Sequence, residues 1–244
     1  MIKINNIEFC KNNKIIIDSL THTFEKGKIN FIIGENGVGK TTLLNILGGV
    51  FDSTGVKSTD YGDICTENHQ YKAELGFLME TPFFYDNLTS DEFIDLVLSL
   101  RKKEVSSDEK KRWYELFKMI DFTNIPISSL SKGARQKTAI ISTLIHDPEY
   151  ILMDEPVNGL DPVGVKILKE ILVAEKKKNK TIIVSTHILE IAEKLADDVL
   201  VIKDGKKIAS GNISDLRKNA DEELEDIFLR LTENHDYEKV LSLI

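Results

Sequence analysis

Residues 34–42 read GENGVGKTT, and this stretch decides the fold. It fits G-x-x-x-x-G-K-[ST] and lies between an apolar run at residues 29–33 and a helix-like run at residues 43–47. The glycines let successive N–H groups face phosphate oxygens, and the following helix turns its positive dipole end toward them. Lys40 is expected to reach the β- and γ-phosphates, and the Thr41 hydroxyl to bind Mg²⁺. The predicted phosphate contacts are Gly34, Glu35, Asn36, Gly37, Val38, Gly39, Lys40, Thr41 and Thr42.

Size and composition narrow the class of protein. The 244 residues are 41% hydrophobic, enough for the core of one large α/β domain or two small ones. Apolar stretches such as residues 138–145 fall far short of the roughly 18 residues that a membrane span needs. No basic and apolar leader precedes Ile2, and Cys10 and Cys65 have neither metal nor disulfide spacing. We therefore expect a soluble globular protein of a reducing cytoplasm.

The charge is distributed unevenly along the chain. Of the net charge of −8, residues 221–244 carry −6, which leaves −2 for the rest. A nearly neutral body argues against nucleic acid as the principal partner. The basic run at residues 176–180 follows a predicted helix, where cations are ordinary partners of the helix dipole. We interpret this run as a solvated helix end rather than as a binding patch.

Apolar runs and helical patterns alternate over much of the chain. Residues 2–9 and 14–24 are predicted strands that precede the strand of the phosphate loop. After Pro148, strands at 150–153, 181–185 and 199–202 alternate with helices that follow Pro162 and His187. The order predicts an α/β fold with a mostly parallel sheet flanked by helices, to which the N-terminal strands add an antiparallel part.

A helical insertion is predicted at about residues 88–147. Thr89 with Glu92, and Ser106 with Glu109, have the spacing of capping boxes. Trp113 begins an i, i+3, i+4, i+7 stripe, which predicts that this tryptophan packs in the core rather than binding a ligand. The stripe consists of Trp113, Leu116, Phe117 and Ile120. Residues 50–78 are turn-rich and end in a short strand at 75–78.

Four more motifs follow the phosphate loop in a fixed order. They are LSKGARQ at 130–136, YILMDE at 150–155, NGLD at 158–161 and STH at 185–187. In YILMDE an apolar strand ends in Asp154 and Glu155, of which the first belongs on Mg²⁺ and the second beside an attacking water. Together with GENGVGKTT, the set closely resembles the nucleotide-binding subunits of the ATP-binding cassette (ABC) family over essentially the whole chain. The resemblance implies a P-loop NTPase of the ABC ATPase type, with ATP and Mg²⁺ as its ligands.

The resemblance also implies roles for individual residues. Ser131 and Gly133 match the signature loop that covers the γ-phosphate of an ATP held mainly by the opposite subunit, so two chains are expected to pair head to tail. Asp161 matches the loop that links the two sites. His187 matches the switch histidine that contacts the γ-phosphate, and Glu155 orients or deprotonates the water.

Three features, at four positions, depart from the common family pattern. The signature has Lys132 and Ala134 where Gly and Gln are usual, although Ser131 and Gly133 remain. Glu80 replaces a Gln that touches Mg²⁺ and water. Lys11 stands where an aromatic usually stacks on adenine, so base stacking comes from the lysine stem or is weak. Nearby Phe9 is assigned to the core face of its strand.

The C-terminal segment bears on the branch of the family. We expect an ABC ATPase domain over residues 1–220 and an acidic amphipathic helical tail over residues 221–244. Residues 224–232 resemble the ending of members that drive export of drugs, peptides, polysaccharides or lipids through a separate membrane protein. A plain amphipathic surface helix is the alternative interpretation of this segment.

The resemblance further implies partners and a location. We expect a cytoplasmic ATPase on the inner face of the cell membrane, paired with itself or a homologous subunit beneath a separate permease. The permease contact is expected between Glu80 and Leu88, although Phe83, Phe84 and Tyr85 in this loop could instead pack inside the domain. An importer subunit and a soluble ABC ATPase without a transport role are the alternative functions.

Overall fold

The computed structural model describes residues 1–232. The strands of this part are β1 (Ile2–Lys11), β2 (Lys14–Phe24), β3 (Lys28–Ile33), β4 (Thr54–Thr59), β5 (Gly62–Asp63), β6 (Leu75–Leu78), β7 (Tyr150–Asp154), β8 (Thr181–Thr186), β9 (Asp198–Lys203) and β10 (Lys206–Gly211). Its helices are α1 (Lys40–Leu47), α2 (His69–Ala73), α3 (Ser90–Arg101), α4 (Ser107–Leu116), α5 (Lys132–Leu144), α6 (Pro162–Lys177), α7 (Leu189–Leu195), α8 (Ile213–Leu216) and α9 (Leu224–Thr232).

The central sheet has six strands in the order β10-β9-β3-β8-β7-β6. All neighbours are parallel except the edge pair β10 and β9, which is antiparallel. Every residue of β7 and β8 is buried, as expected for parallel strands covered on both faces. Because the carboxyl ends of parallel strands meet at one edge, the segments that follow β3, β7 and β8 come together there. The predicted mostly parallel α/β sheet is confirmed.

A second sheet is antiparallel, with the order β2-β1-β4-β5. β1 and β2 form a hairpin whose turn residues, Asn12 and Asn13, have positive φ angles of 51° and 60°, as a two-residue type I′ turn requires. β1 extends to Lys11, two residues beyond the predicted end. β4 pairs with the other edge of β1. It lies in the turn-rich residues 50–78 and was not predicted as a strand.

The predicted insertion contains α3, α4 and α5, with 3₁₀ turns at Ile120–Phe122 and Ile127–Ser129. The box of Thr89 and Glu92 is complete, whereas Ser106 only accepts the Glu109 N–H. The predicted stripe is wrong in part, because α4 ends at Leu116 and Lys118 adopts a positive φ of 55°. Phe117 is buried and Trp113 packs against the core, as expected, but Leu116 and Ile120 are exposed.

The interpretation of the basic run needs one correction. Lys180 is only 6% exposed and forms ion pairs with Glu175 and Asp147. Lys176 forms an ion pair with Asp197, the residue directly before β9. These contacts fasten the end of α6 to the sheet, so Lys180 is a buried structural cation rather than a solvated one.

Helix α9 packs against the rest of the fold. Leu224 and Ile227 are fully buried in the main core, and Phe228 and Leu231 pack against it. Glu193 of α7 accepts the Leu224 N–H, and Lys203 donates to the Thr232 carbonyl. The division at residue 220 stays a prediction, and residues 233–244 of the predicted tail lie outside the described residues. Among residues 1–232, no helix combines the length and apolar character that crossing a bilayer requires.

Candidate functional site

The glycine loop connects the end of β3 to the start of α1. Gly39 caps α1 with a φ of 111°, a left-handed conformation that side chains rarely adopt. A Cβ at this position would lie 2.8 Å from Ile17 Cδ1 and 3.0 Å from the Ile16 carbonyl oxygen. The β2 strand therefore presses against the loop so closely that only glycine fits. The first N–H groups of α1 have no acceptor within the helix and face the glycine loop, where they can bind an anion.

Lys40 lies inside this loop. Its Nζ donates to the carbonyl oxygens of Gly34 at 2.7 Å and Glu35 at 2.9 Å, and the residue is only 7% exposed. Burial lowers the pKa of Lys40, because desolvation disfavours its charge, while Glu155, Asp154 and Glu80 act in the opposite direction. The lysine is thus within electrostatic reach of all three predicted site carboxylates.

A polar cavity of about 300 Å³ opens in front of the loop. Its volume is at the lower end of the range for ligand sites. It brings together residues from five of the predicted segments: Asn36, Gly37, Gly39, Lys40, Thr41, Thr42, Glu80, Glu155, Asn158 and His187. The remaining predicted site residues do not line it, namely Gly34, Glu35, Val38, Lys11, Asp154, Ser131, Gly133 and Asp161.

The two acids at the end of β7 are held differently. Asp154 is 1% exposed and accepts a hydrogen bond from Ser185 Oγ. Glu155 has a positive φ of 48°, and its Oε1 lies 2.9 Å from His187 Nδ1. Thr186 Oγ1 donates to Glu155 Oε2 at 3.3 Å. The Glu155 carboxylate is therefore oriented from both sides at the wall of the cavity, beside a histidine that is 48% exposed on its side chain.

The donor set suits Mg²⁺. Thr41, Glu80 and Asp154 supply hydroxyl and carboxylate oxygens, the hard ligands that this ion prefers. Within residues 1–232, no group of three or more His, Cys, Asp or Glu side chains could hold a metal by itself. Mg²⁺ ordinarily takes only one or two protein carboxylates and completes its shell with phosphate oxygens and water, so the residues present fit the ion.

The signature residues lie at the start of α5, outside the cavity. Ser131 is exposed and caps the helix by accepting the Ala134 N–H. A Cβ on Gly133 would lie 2.9 Å from the Gly159 carbonyl oxygen, so the helix and the NGLD segment touch closely. Asp161 accepts hydrogen bonds from the Gly164 N–H and from Lys137, which lower its pKa.

Two residues lie at the site that were not among the predicted site residues. Asn158 lines the 300 Å³ cavity and also a neighbouring one of about 280 Å³, which lies between Glu80 and Lys132. Its motif was noticed, but only Asp161 was assigned a function. Ser185, within STH, contacts both acids of β7. Its side chain reaches them only through the pairing of β7 with β8, which the motif itself does not reveal.

No adenine platform lies where the family pattern places one. Lys11 is exposed at the end of β1. Phe9 stacks on Phe51 with ring centroids 5.3 Å apart and planes 6° apart, and both rings pack against the core. The assignment of Phe9 to the core face agrees with this packing, while the contact of Lys11 with a nucleotide stays a prediction.

A glycine loop between β3 and α1, a buried lysine, and two acids at the end of β7, which β8 separates from β3, together define a P-loop nucleoside triphosphatase. The family model described as ABC transporter matches residues 17–158. The chain belongs to the ABC transporter family and is an ATP-binding subunit with ATPase activity.

Two relatives match over most of their length. The chain is 37% identical to the ABC transporter ATP-binding protein NatA of Bacillus subtilis over 217 residues, which cover 85% of this chain and 86% of NatA. It is 32% identical to the lantibiotic transport ATP-binding protein SrtF of Streptococcus pyogenes over 237 residues, covering 93% of this chain and 96% of SrtF.

Solved structures show the same fold. An ATP-binding subunit of an ABC transporter superposes with a TM-score of 0.88 at 25% identity, covering 95% of this chain and 99% of that chain. The cassette MJ0796, solved as a dimer in a post-hydrolysis state with ADP and Pi, superposes with a TM-score of 0.77 at 25% identity. That comparison covers 87% of this chain and 99% of MJ0796. The predicted ABC ATPase fold is confirmed.

Proposed function

We propose that the chain powers the export of a substrate through a separate membrane permease, as one of two ATPase subunits paired head to tail. The pair is cytoplasmic and sits against the inner face of the membrane. The observation that carries this proposal is the division of the site, because the signature residues lie apart from the cavity that contains Lys40. A second subunit is needed to bring a signature loop to each ATP.

The residues of one chain divide the chemistry as follows. The loop from Gly34 to Thr42 and the Lys40 ammonium bind the phosphates. Thr41, Asp154 and Glu80 hold Mg²⁺, which when bound neutralises charge on the phosphate oxygens. Glu155 orients the attacking water or accepts its proton, and its contact with His187 keeps the carboxylate in place. His187 and the partner copy's signature loop stabilise the transferring phosphoryl group.

The pairing is tested by trapping the nucleotide-bound state. Because general-base assistance contributes about 10² to 10⁴ in rate, Glu155→Gln should nearly abolish turnover yet retain ATP binding. In sedimentation with Mg-ATP, this variant should form a dimer, and adding Ser131→Arg should leave it monomeric. Ser129→Arg, an exposed position just before the signature, is the matched control. A Glu155→Gln protein that stays monomeric at high protein and nucleotide concentrations contradicts the pairing.

The loop between Glu80 and Leu88 supports a permease contact. Phe83 is 74% and Tyr85 is 57% exposed, and the two rings meet edge to face at 5.7 Å. Phe84 instead packs on Phe93, with ring centroids 5.0 Å apart. Phe84 therefore packs inside the domain, whereas Phe83 and Tyr85 are exposed and Phe83 lines an apolar cleft of about 180 Å³.

A larger cavity adjoins this cleft and extends the same surface. It measures about 600 Å³ between α2 and α3 and shares Val97 and Arg101 with the cleft. We test the contact by purifying the tagged chain from native membranes. A polytopic chain should co-purify, and Phe83→Asp should release it, whereas Phe122→Asp, at an exposed phenylalanine elsewhere, should not. Equal retention by both variants contradicts a contact at this loop.

The direction of transport rests on the resemblance of residues 224–232 to exporters and on the near full-length similarity to a lantibiotic transport protein. In inside-out membrane vesicles that contain the chain and its co-purified permease, ATP should drive a fluorescently labelled lantibiotic into the lumen. Vesicles with Glu155→Gln should show no uptake. ATP-driven loss of the probe from preloaded vesicles identifies an importer and overturns this assignment.

A further inference from the structure

The hydroxyl of Ser185 lies between the two acids at the end of β7. Ser185 is fully buried on β8, directly opposite Asp154 in the parallel register. Its Oγ donates to Asp154 Oδ1 and accepts the Glu155 N–H at 3.2 Å. The Ser185 carbonyl oxygen lies at the same distance, 3.2 Å, from that N–H. One side chain therefore connects both acids to the neighbouring strand.

Asp154 depends on this hydroxyl for its orientation. Among residues 1–232, Ser185 is the one side chain that donates a hydrogen bond to the Asp154 carboxylate. A carboxylate that is 1% exposed needs such a partner, because burial removes the water that would otherwise solvate it. The bond occupies Oδ1 and leaves Oδ2 available to the metal shell.

Glu155 depends on Ser185 through its backbone. Its φ of 48° lies in the left-handed region that a glutamate rarely adopts, and such a conformation persists only where surrounding contacts hold it. The Glu155 N–H donates to both the hydroxyl and the carbonyl oxygen of Ser185. These two hydrogen bonds hold the backbone of the turn at Glu155. The side-chain contacts with Thr186 and His187 then set the direction of the carboxylate.

We propose that Ser185 is a positioning residue of the ATPase site, which orients Asp154 toward Mg²⁺ and fixes the turn that carries Glu155. This inference rests on the proposed roles of those two acids. Removing an outer partner of a metal ligand typically costs about ten- to hundredfold in metal affinity or activity. A serine that served the fold alone would affect stability without this loss.

The test compares Ser185→Ala with Ser185→Thr, which keeps the hydroxyl. The control is Ser142→Ala, which removes a buried hydroxyl that donates to the Ala139 carbonyl oxygen at 2.8 Å on α5. For each protein we measure the affinity for a fluorescent ATP analogue with Mg²⁺ and with EDTA, the kcat and KM for ATP, and the melting temperature without nucleotide. The ratio of the two affinities isolates the contribution of the metal.

Ser185→Ala should lower the gain in affinity from Mg²⁺ by about ten- to hundredfold and reduce kcat, with the affinity in EDTA unchanged. Ser185→Thr should recover most of both quantities, and Ser142→Ala should alter neither. A Ser185→Ala protein that keeps the wild-type Mg²⁺ gain and kcat overturns the proposal, whatever its melting temperature.

Asp154→Asn, measured in parallel, separates this inference from the proposed function. If Asp154→Asn keeps the full Mg²⁺ gain, the metal role of Asp154 is wrong, and the positioning role of Ser185 is overturned with it. If Asp154→Asn loses the gain and Ser185→Ala does not, only the role of Ser185 is wrong.

Discussion

Truncating Ile227 tests whether the packing of α9 contributes to the stability of the ATPase domain. Ile227 is fully buried in the main core, so Ile227→Ala removes packing that typically costs about 2 to 5 kcal/mol. For a chain of this size, about 1 kcal/mol corresponds to roughly 2 to 4 °C in melting temperature, which predicts a fall of about 4 to 20 °C. ATP affinity should not change, because α9 does not line the nucleotide cavity.

Leu229→Ala on the same helix is the matched control. Leu229 is half-buried and is not among the residues that pack against the main core, so its truncation should cost less than about 1 kcal/mol. Thermal unfolding by circular dichroism gives the global effect, and hydrogen exchange of residues 224–232 detects local opening. If Ile227→Ala matches the wild type in both measurements, the packing of α9 does not stabilise the domain. If both variants lose equally, the burial of Ile227 in the main core is not the cause of the loss.

Two further predictions concern the base of the nucleotide and acid stability. Because Phe9 is stacked on Phe51 and Lys11 offers no ring, the stacking worth about 1 to 3 kcal/mol is missing, and ATP and GTP should bind within about tenfold of each other in side-by-side titrations. A strong preference for ATP would reveal another adenine platform. Burial lowers the pKa of His146 to about 3, so the unfolded chain gains a proton first as the pH falls below about 6.5, and stability declines toward pH 3. His146→Gln should flatten the dependence of unfolding free energy on pH between 6 and 4 by up to about 1.4 kcal/mol per unit, measured in urea; an unchanged slope contradicts the buried neutral imidazole.

The sequence predicted the elements whose signals are local. A few consecutive residues are enough to indicate the capping box of Thr89 with Glu92 and the apolar strands β7 and β8. The structure contains all three. β4 was missed because it is held by pairing with β1, about fifty residues away, and its own sequence is rich in turn formers. The stripe that begins at Trp113 failed for a related reason, because Lys118 turns the chain before the stripe is complete.

The same distinction applies to the site. Lys40, Thr41 and Glu155 could be predicted because each lies in a contiguous motif, and the cavity brings them together. Ser185 contacts Asp154 and Glu155, which are 31 and 30 residues away along the chain. Asn158 lines a second cavity beside the first. No spacing along the chain predicts these contacts. Sequence patterns therefore indicate the side chains that line the cavity better than the neighbours that orient those side chains.

The contacts at the start of α5 join the signature to the segment that follows Glu155. Gln136 Nε2 donates to the Pro156 carbonyl oxygen at 3.0 Å in the interior, and Gly133 packs too closely on Gly159 for a Cβ to fit. The pair of Lys137 and Asp161 contributes little to this contact, since Asp161 is largely exposed and solvent screens the pair. The buried bond and the close packing therefore determine this joint. In the proposed head-to-tail pair, the signature loop that covers the partner's ATP is therefore joined by these two contacts to the segment that follows its own Glu155.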